Sequence, residues 1–228
     1  AAVAPGGTVY TNTTTGALKQ TNAGAGDTLH FVSWTGVSNV AQGTALMLVD
    51  NLWAASFNYA TSGNVTVTGV PTRYQTATTA PGNFMSGDVT TVLGATAQNV
   101  TITYVDQDGN AAQASAALAI RVSSAVNTIP HTQPVWFIPL VAPDTGLRNI
   151  TIFNLSAANS GFVDRMIAHP IAILPGVGVA NQPVILDGIN SAFNLERIYD
   201  GAALSLLEWF KGATTATTYN GYICVVSG

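Results

Sequence analysis

The sequence predicts an all-β chain, an antiparallel sandwich or jelly-roll-like barrel (one or a pair), with at most one short helix. Three observations lead there. Segments of period-2 alternation rich in Val, Ile, Thr and aromatic residues recur along all 228 positions. Turn formers punctuate them, as at Asp106-Gln107-Asp108-Gly109-Asn110, Pro143-Asp144-Thr145-Gly146, Pro175-Gly176 and Asp187-Gly188. Finally, the chain is 47% apolar, which is enough for a real core and too much for intrinsic disorder.

Residues 1–8 read as an extended arm around Pro5-Gly6-Gly7, with neither the basic region nor the long apolar region of a signal peptide. The run Thr28 to Trp34 is a strand with β-branched and aromatic residues, and Thr44 to Val49 is a short apolar run ending at Asp50-Asn51. A buried strand or a helical turn fits that run. Asn64 to Thr68 alternates and ends at Gly69. The clearest hairpin pairs Asn99–Val105, with Val100, Ile102 and Tyr104 on one face, to Ala111–Val122 across an Asp-Gly turn.

Residues 123–134 hold Pro130 and Pro134 and read as a connector, because proline lacks the donor a central strand needs. The expected domains are therefore 1–125 and 126–228. Beyond the connector, strands are expected at Val135–Leu140, Asn149–Leu155, Ile171–Leu174 and Pro183–Leu186. Asn190–Ile198 is the one helix candidate, capped by Ser191. Asp200–Phe210 fits a helix or a buried strand, and a terminal hairpin with Tyr219–Val226 is expected.

Charged residues make up only 8%, against a usual share of about 25%. A neutral, hydroxyl-rich surface suits a subunit packed against copies of itself or a partner, because interface cores are depleted in charge. The seven basic residues (Lys19, Arg73, Arg121, Arg148, Arg165, Arg197 and Lys211) are scattered. Nucleic acid needs a clustered basic patch and an anionic membrane a polybasic segment, so no nucleic-acid or membrane partner is expected. The lone Cys224 lies in an apolar run and is expected to be a buried, inert thiol.

No residue stands out as catalytic, cofactor-binding or metal-ligating, and no cofactor is expected. His30, His131 and His169 lack the i, i+4 or cluster spacing of a metal site. No Gly-x-Ser-x-Gly elbow points to a catalytic triad. Asp106–Asn110 resembles a calcium loop only superficially, since Tyr104 and Ser115 would occupy ligand positions that need carboxylates. The only glutamates, Glu196 and Glu208, form no local glycosidase pattern, and Gly176-Val177-Gly178 lacks the third glycine of a dinucleotide fingerprint. Trp34, Trp53, Trp136 and Trp209 read as core or interface anchors, or as a sugar-stacking platform where one is exposed.

Two segments carry a resemblance. Asp88-Val89-Thr90-Thr91-Val92-Leu93-Gly94-Ala95-Thr96-Ala97-Gln98-Asn99-Val100-Thr101-Ile102-Thr103-Tyr104 and Gly212-Ala213-Thr214-Thr215-Ala216-Thr217-Thr218-Tyr219-Asn220-Gly221 resemble structural proteins of tailed-bacteriophage virions, in particular capsid decoration (cement) proteins. That resemblance implies a non-enzymatic virion protein bound outside the capsid lattice and stabilising it, often as a homotrimer. Its partners would be the major capsid protein and copies of itself, with no catalytic residues to carry over. The alternative is a carbohydrate- or receptor-binding module of a phage fibre or tail.

Overall fold

The computed structural model describes residues 7–40, 46–70, 73–132, 137–174, 179–189, 195–208 and 218–228. The chain is all-β and antiparallel throughout, and no helix occurs among the described residues. Its strands are β1 (Thr8–Val9), β2 (Leu29–Ser38), β3 (Leu46–Asn58), β4 (Gly63–Thr66), β5 (Phe84–Thr91), β6 (Asn99–Asp106) and β7 (Gln113–Ala114). They continue with β8 (Leu118–Ala119), β9 (Leu147–Leu155), β10 (Phe162–Leu174), β11 (Val184–Asp187), β12 (Arg197–Ile198), β13 (Leu204–Glu208) and β14 (Tyr219–Ser227).

The chain divides into two compact units. Unit 1 comprises Ala1–Tyr10 and Asn51–His169; unit 2 comprises Thr11–Asp50 and Pro170–Gly228. This replaces the expected boundary at 126. The connector belongs to unit 1, where Ser123 N–H donates to the Gly94 carbonyl and Asn127 N–H to the Val89 carbonyl. The division instead cuts β3 after Asp50 and β10 before Pro170. Composition cannot mark a boundary that falls inside a strand.

In unit 1 one sheet runs β1-β3-β10-β5 and a second runs β4-β9-β6-β7, with β8 also on β6. β6 and β9 are the expected alternating strands, paired from Val100↔Leu155 to Asp106↔Leu147. Val100, Ile102, Tyr104, Ile150 and Phe153 are buried as their alternation demands. The expected return strand 111–122 is broken into β7 and β8, because Ser115 intervenes. Its Oγ accepts the Ile102 N–H at 3.0 Å, and its own N–H donates to the Ile102 carbonyl. The core adds Trp53, Phe57 and Tyr59, with the Phe57 and Phe153 rings 4.3 Å apart.

β10 is thirteen residues long, where only 171–174 is expected. Its ladder with β5 ends at Ala168↔Phe84, two residues before Pro170, which could not donate. β5 was hidden by its small and acidic residues.

In unit 2, β2 is flanked by β14 along its whole length on one side and by β11 and β12 on the other. β13 pairs with β3, from Leu204↔Asp50 to Glu208↔Leu46. The expected terminal hairpin is therefore absent: β13 and β14 belong to different sheets. Asp50, expected to end a strand, is buried within β3, and its Oδ1 accepts the Ala203 N–H at 2.8 Å. Arg197–Ile198, placed in the candidate helix, pairs with His30 and Leu29 as a strand; positions 190–194 lie outside the described residues. The core holds Leu29, Phe31, Trp34, Leu46, Leu48, Ile171, Ile198 and Leu204. Gly36 is required beside Trp34, since a Cβ there would run into the indole ring.

Candidate functional site

The histidines go to three separate places. His30 lies in unit 2, where Nδ1 donates to the Leu195 carbonyl at 3.0 Å and Nε2 is 2.9 Å from the Thr28 hydroxyl. His131 and His169 are both buried in unit 1 but in different networks.

The first network is centred on Arg165, whose relative exposure is 0%. Its Nε and Nη2 donate to the Tyr59 hydroxyl at 3.2 and 2.5 Å, and its Nη1 lies 2.8 Å from His131 Nε2. A guanidinium only donates, so His131 Nε2 must be the acceptor and the imidazole neutral. The Phe153 ring stands 5.5 Å from the guanidinium carbon. Among the described residues no carboxylate is hydrogen-bonded to this cation. Burial pushes the Tyr59 phenol up, and the Arg165 charge only partly offsets it. Gly87 makes room, since a Cβ there would press on the Arg165 side chain.

In the second network, Asn83 Nδ2 donates to the Tyr74 and Leu147 carbonyls at 2.8 and 2.9 Å. Its Oδ1 accepts from His169 Nδ1 at 2.7 Å, and Tyr74 stacks on the imidazole at 3.8 Å. Both networks tie strands to loops, and neither contributes to the two cavities described below.

The Asp106–Asn110 turn is a hairpin corner. Asp106 Oδ1 accepts the Asp108 and Asn110 N–H groups, and Oδ2 accepts Asn110 Nδ2. Burial raises this carboxyl, but those hydrogen bonds outweigh it and hold it below its usual range. No group of three or more His, Cys, Asp or Glu side chains placed to hold a metal ion occurs among the described residues. Two carboxylates do meet across strands at Asp88↔Asp164. Burial first, and the Asp164 charge as well, push Asp88 up. Neither aspartate lines the two cavities described below.

Two cavities are lined by described residues of unit 2. The larger, about 680 Å3, has an apolar wall of Leu29, Trp34, Leu206, Ile223 and Val225, with Lys19 at its rim. The other, about 400 Å3, lies between Phe31, Ile171, Leu186 and Leu195, with Glu196 its one carboxylate. Glu208 is bonded to the Tyr219 hydroxyl; burial nonetheless raises its carboxyl above the usual range. Gly176–Gly178, Trp136 and Trp209 lie outside the described residues, and Trp34 and Trp53 are buried, so neither forms a sugar platform.

Cys224 corrects the expectation of a buried thiol: it is exposed. It stands on the outer face of β14 with Tyr222 and Val226, which are 68% and 48% exposed, while Ile223 and Val225 face the core. Across β2 from Tyr222, in the row Tyr222–Thr35–Ile185, Ile185 is 64% exposed. β14 carries no charged residue. Sequence reasoning missed this surface. A run that is apolar on both faces looks like a fully covered strand.

No protein-family model, curated protein or solved structure matches this chain.

Proposed function

We propose that this chain is a non-enzymatic structural subunit that works by surface contact within a larger assembly, of the capsid-decoration type its sequence resembles. The observation that carries this reading is the uncharged strand β14, paired only with β2 among the described residues, with Tyr222, Val226 and the neighbouring Ile185 presented outward. Free proteins blunt such edges with charge, proline or cover. An apolar sheet face that no described residue covers is what a lattice neighbour would occupy. In a shell under internal pressure, a subunit bridging neighbouring shell proteins adds buried area at their junctions, and symmetry multiplies each contact.

The test is composition. Purified virions from the source of this sequence should contain the chain in stoichiometric amounts, accessible to protease from outside. Particles lacking it should break at lower temperature. Absence of the chain from particles would overturn the reading.

A further inference from the structure

We propose that β14 pairs antiparallel with β14 of a second copy of this chain, about a two-fold axis at Cys224. This rests on the assembly reading above and names the partner at that edge. Among the described residues β14 is hydrogen-bonded on one side only, to β2. The stretch Tyr222–Val226 around Cys224 spans about 17 Å of this strand, with alternate backbone donors and acceptors directed away from β2. The usual protections are missing, since the strand has no lysine, no other charge and no proline. Its ladder with β2 does shift register at Cys224/Val225, but the extra residue, Val32, falls on β2, and β14 itself stays regular.

A second copy fits this edge for reasons of charge and shape. In a two-fold contact every residue meets its own strand, so a single charge near the axis would face its like. β14 has none. With Cys224 at the axis, Tyr222 lies opposite Val226 on the outer face and Ile223 opposite Val225 on the inner face. Aromatic–β-branched and aliphatic pairs of this kind stabilise antiparallel strands. A two-fold perpendicular to the sheet keeps inner faces on the same side. The partner's own Ile223 and Val225 would then extend the apolar wall of the 680 Å3 cavity, where these two residues stand only partly buried. The pairing is two-fold, in place of the trimer the resemblance implies.

The experiment uses the full chain. Light scattering should give a dimer mass. Diamide oxidation should link two chains through Cys224, the only cysteine, because opposed Cα atoms about 4.5–5.5 Å apart fall within disulfide range. With Cys224→Ser as background, Tyr222→Cys and Val226→Cys chains should crosslink to each other when mixed, and each poorly to itself. Tyr222→Lys with Val226→Lys should weaken dimerisation at least tenfold, and Tyr222→Lys with Val226→Glu should restore it. A monomer without crosslinks overturns the pairing. So does an oligomer that ignores both charge variants and forms no Cys224 link, although that result leaves the assembly reading standing. Absence from particles with a Cys224-linked dimer would do the reverse.

Discussion

Unit 1 links buried polar side chains into hydrogen-bonded networks, whereas unit 2 turns apolar side chains outward along the uncharged strand β14. In unit 1, Arg165, His131, His169 and Asn83 are buried and joined to phenols, carbonyls and one another. In unit 2 the strand pattern is the same, yet two cavities with apolar walls open among its strands and β14 turns Tyr222 and Val226 outward. Buried polar networks make a rigid body, since a missing partner strands a desolvated group. Half-covered apolar strands make a body that another chain can complete. On the proposed reading, stability would rest mainly on the first unit and contact on the second.

The sharpest way to break this contrast is at Tyr59. Tyr59→Phe removes the acceptor of two Arg165 N–H groups and leaves a buried guanidinium facing His131 alone. Unit 1 should lose about 1.5–3 kcal/mol in urea denaturation. Arg165→Met removes the charge while keeping most of the volume, and should cost distinctly less. Equal losses would mean that packing, not the hydrogen-bonded charge, holds this region.

Next comes Tyr104, whose hydroxyl donates to Asp144 Oδ2 at 2.6 Å and accepts the Val141 N–H at 3.0 Å. Tyr104→Phe leaves both unpaired and should cost about 1–3 kcal/mol. Burial, with the Asp144 bond, pushes this phenol up to about 12. The folded state therefore holds its proton longer than the unfolded chain. That stabilisation is whole below pH 10 and is lost as pH rises from about 10 towards 12. Alkaline denaturation should begin earlier in the wild type than neutral-pH stability suggests, and Tyr104→Phe should flatten that limb.

A smaller effect of opposite sign is expected at Asp164. Asp164→Asn relieves the like-charge pair with Asp88 and should stabilise unit 1 by about 0.2–0.5 kcal/mol at pH 7, as Asp164 is exposed and screened. Asp88 is raised in the fold, so its contribution favours the folded state at low pH and declines as pH rises through its folded value. The gain from Asp164→Asn should therefore shrink on acidification, and a gain independent of pH would exclude charge as its cause.

The smallest stability change belongs to unit 2's surface. Ile185→Lys should alter the denaturation midpoint by an amount within about 0.5 kcal/mol either way. The same change should reduce incorporation into particles, measured by their protein composition. A large loss of stability without loss of incorporation would reverse the roles given to the two units.

Much of the fold was legible along the chain. The strands at 99–105 and 149–155 alternate cleanly because each has one covered face, and that face is written every second residue. β10 was not legible over 162–170, because an inward Arg165 and a following Pro170 break the apolar alternation. The arginine is tolerated there only because Tyr59 and His131, distant in sequence, meet it. Of the proposed contact surface the sequence offered Tyr222, Cys224 and Val226 as strand residues and no sign that they are exposed.

By itself the sequence determined the all-β class, the turn at 106–110 and the poverty of charge, since periodicity, turn chemistry and composition are local properties. Tertiary structure alone decided that β13 and β14 part into different sheets, that the units divide within β3 and β10, and that Cys224 faces outward. The physical reason is that alternation specifies which side chains share a face of a strand. Which strands lie beside it, and whether one edge is left without a neighbour, depends on pairings between residues far apart in the chain.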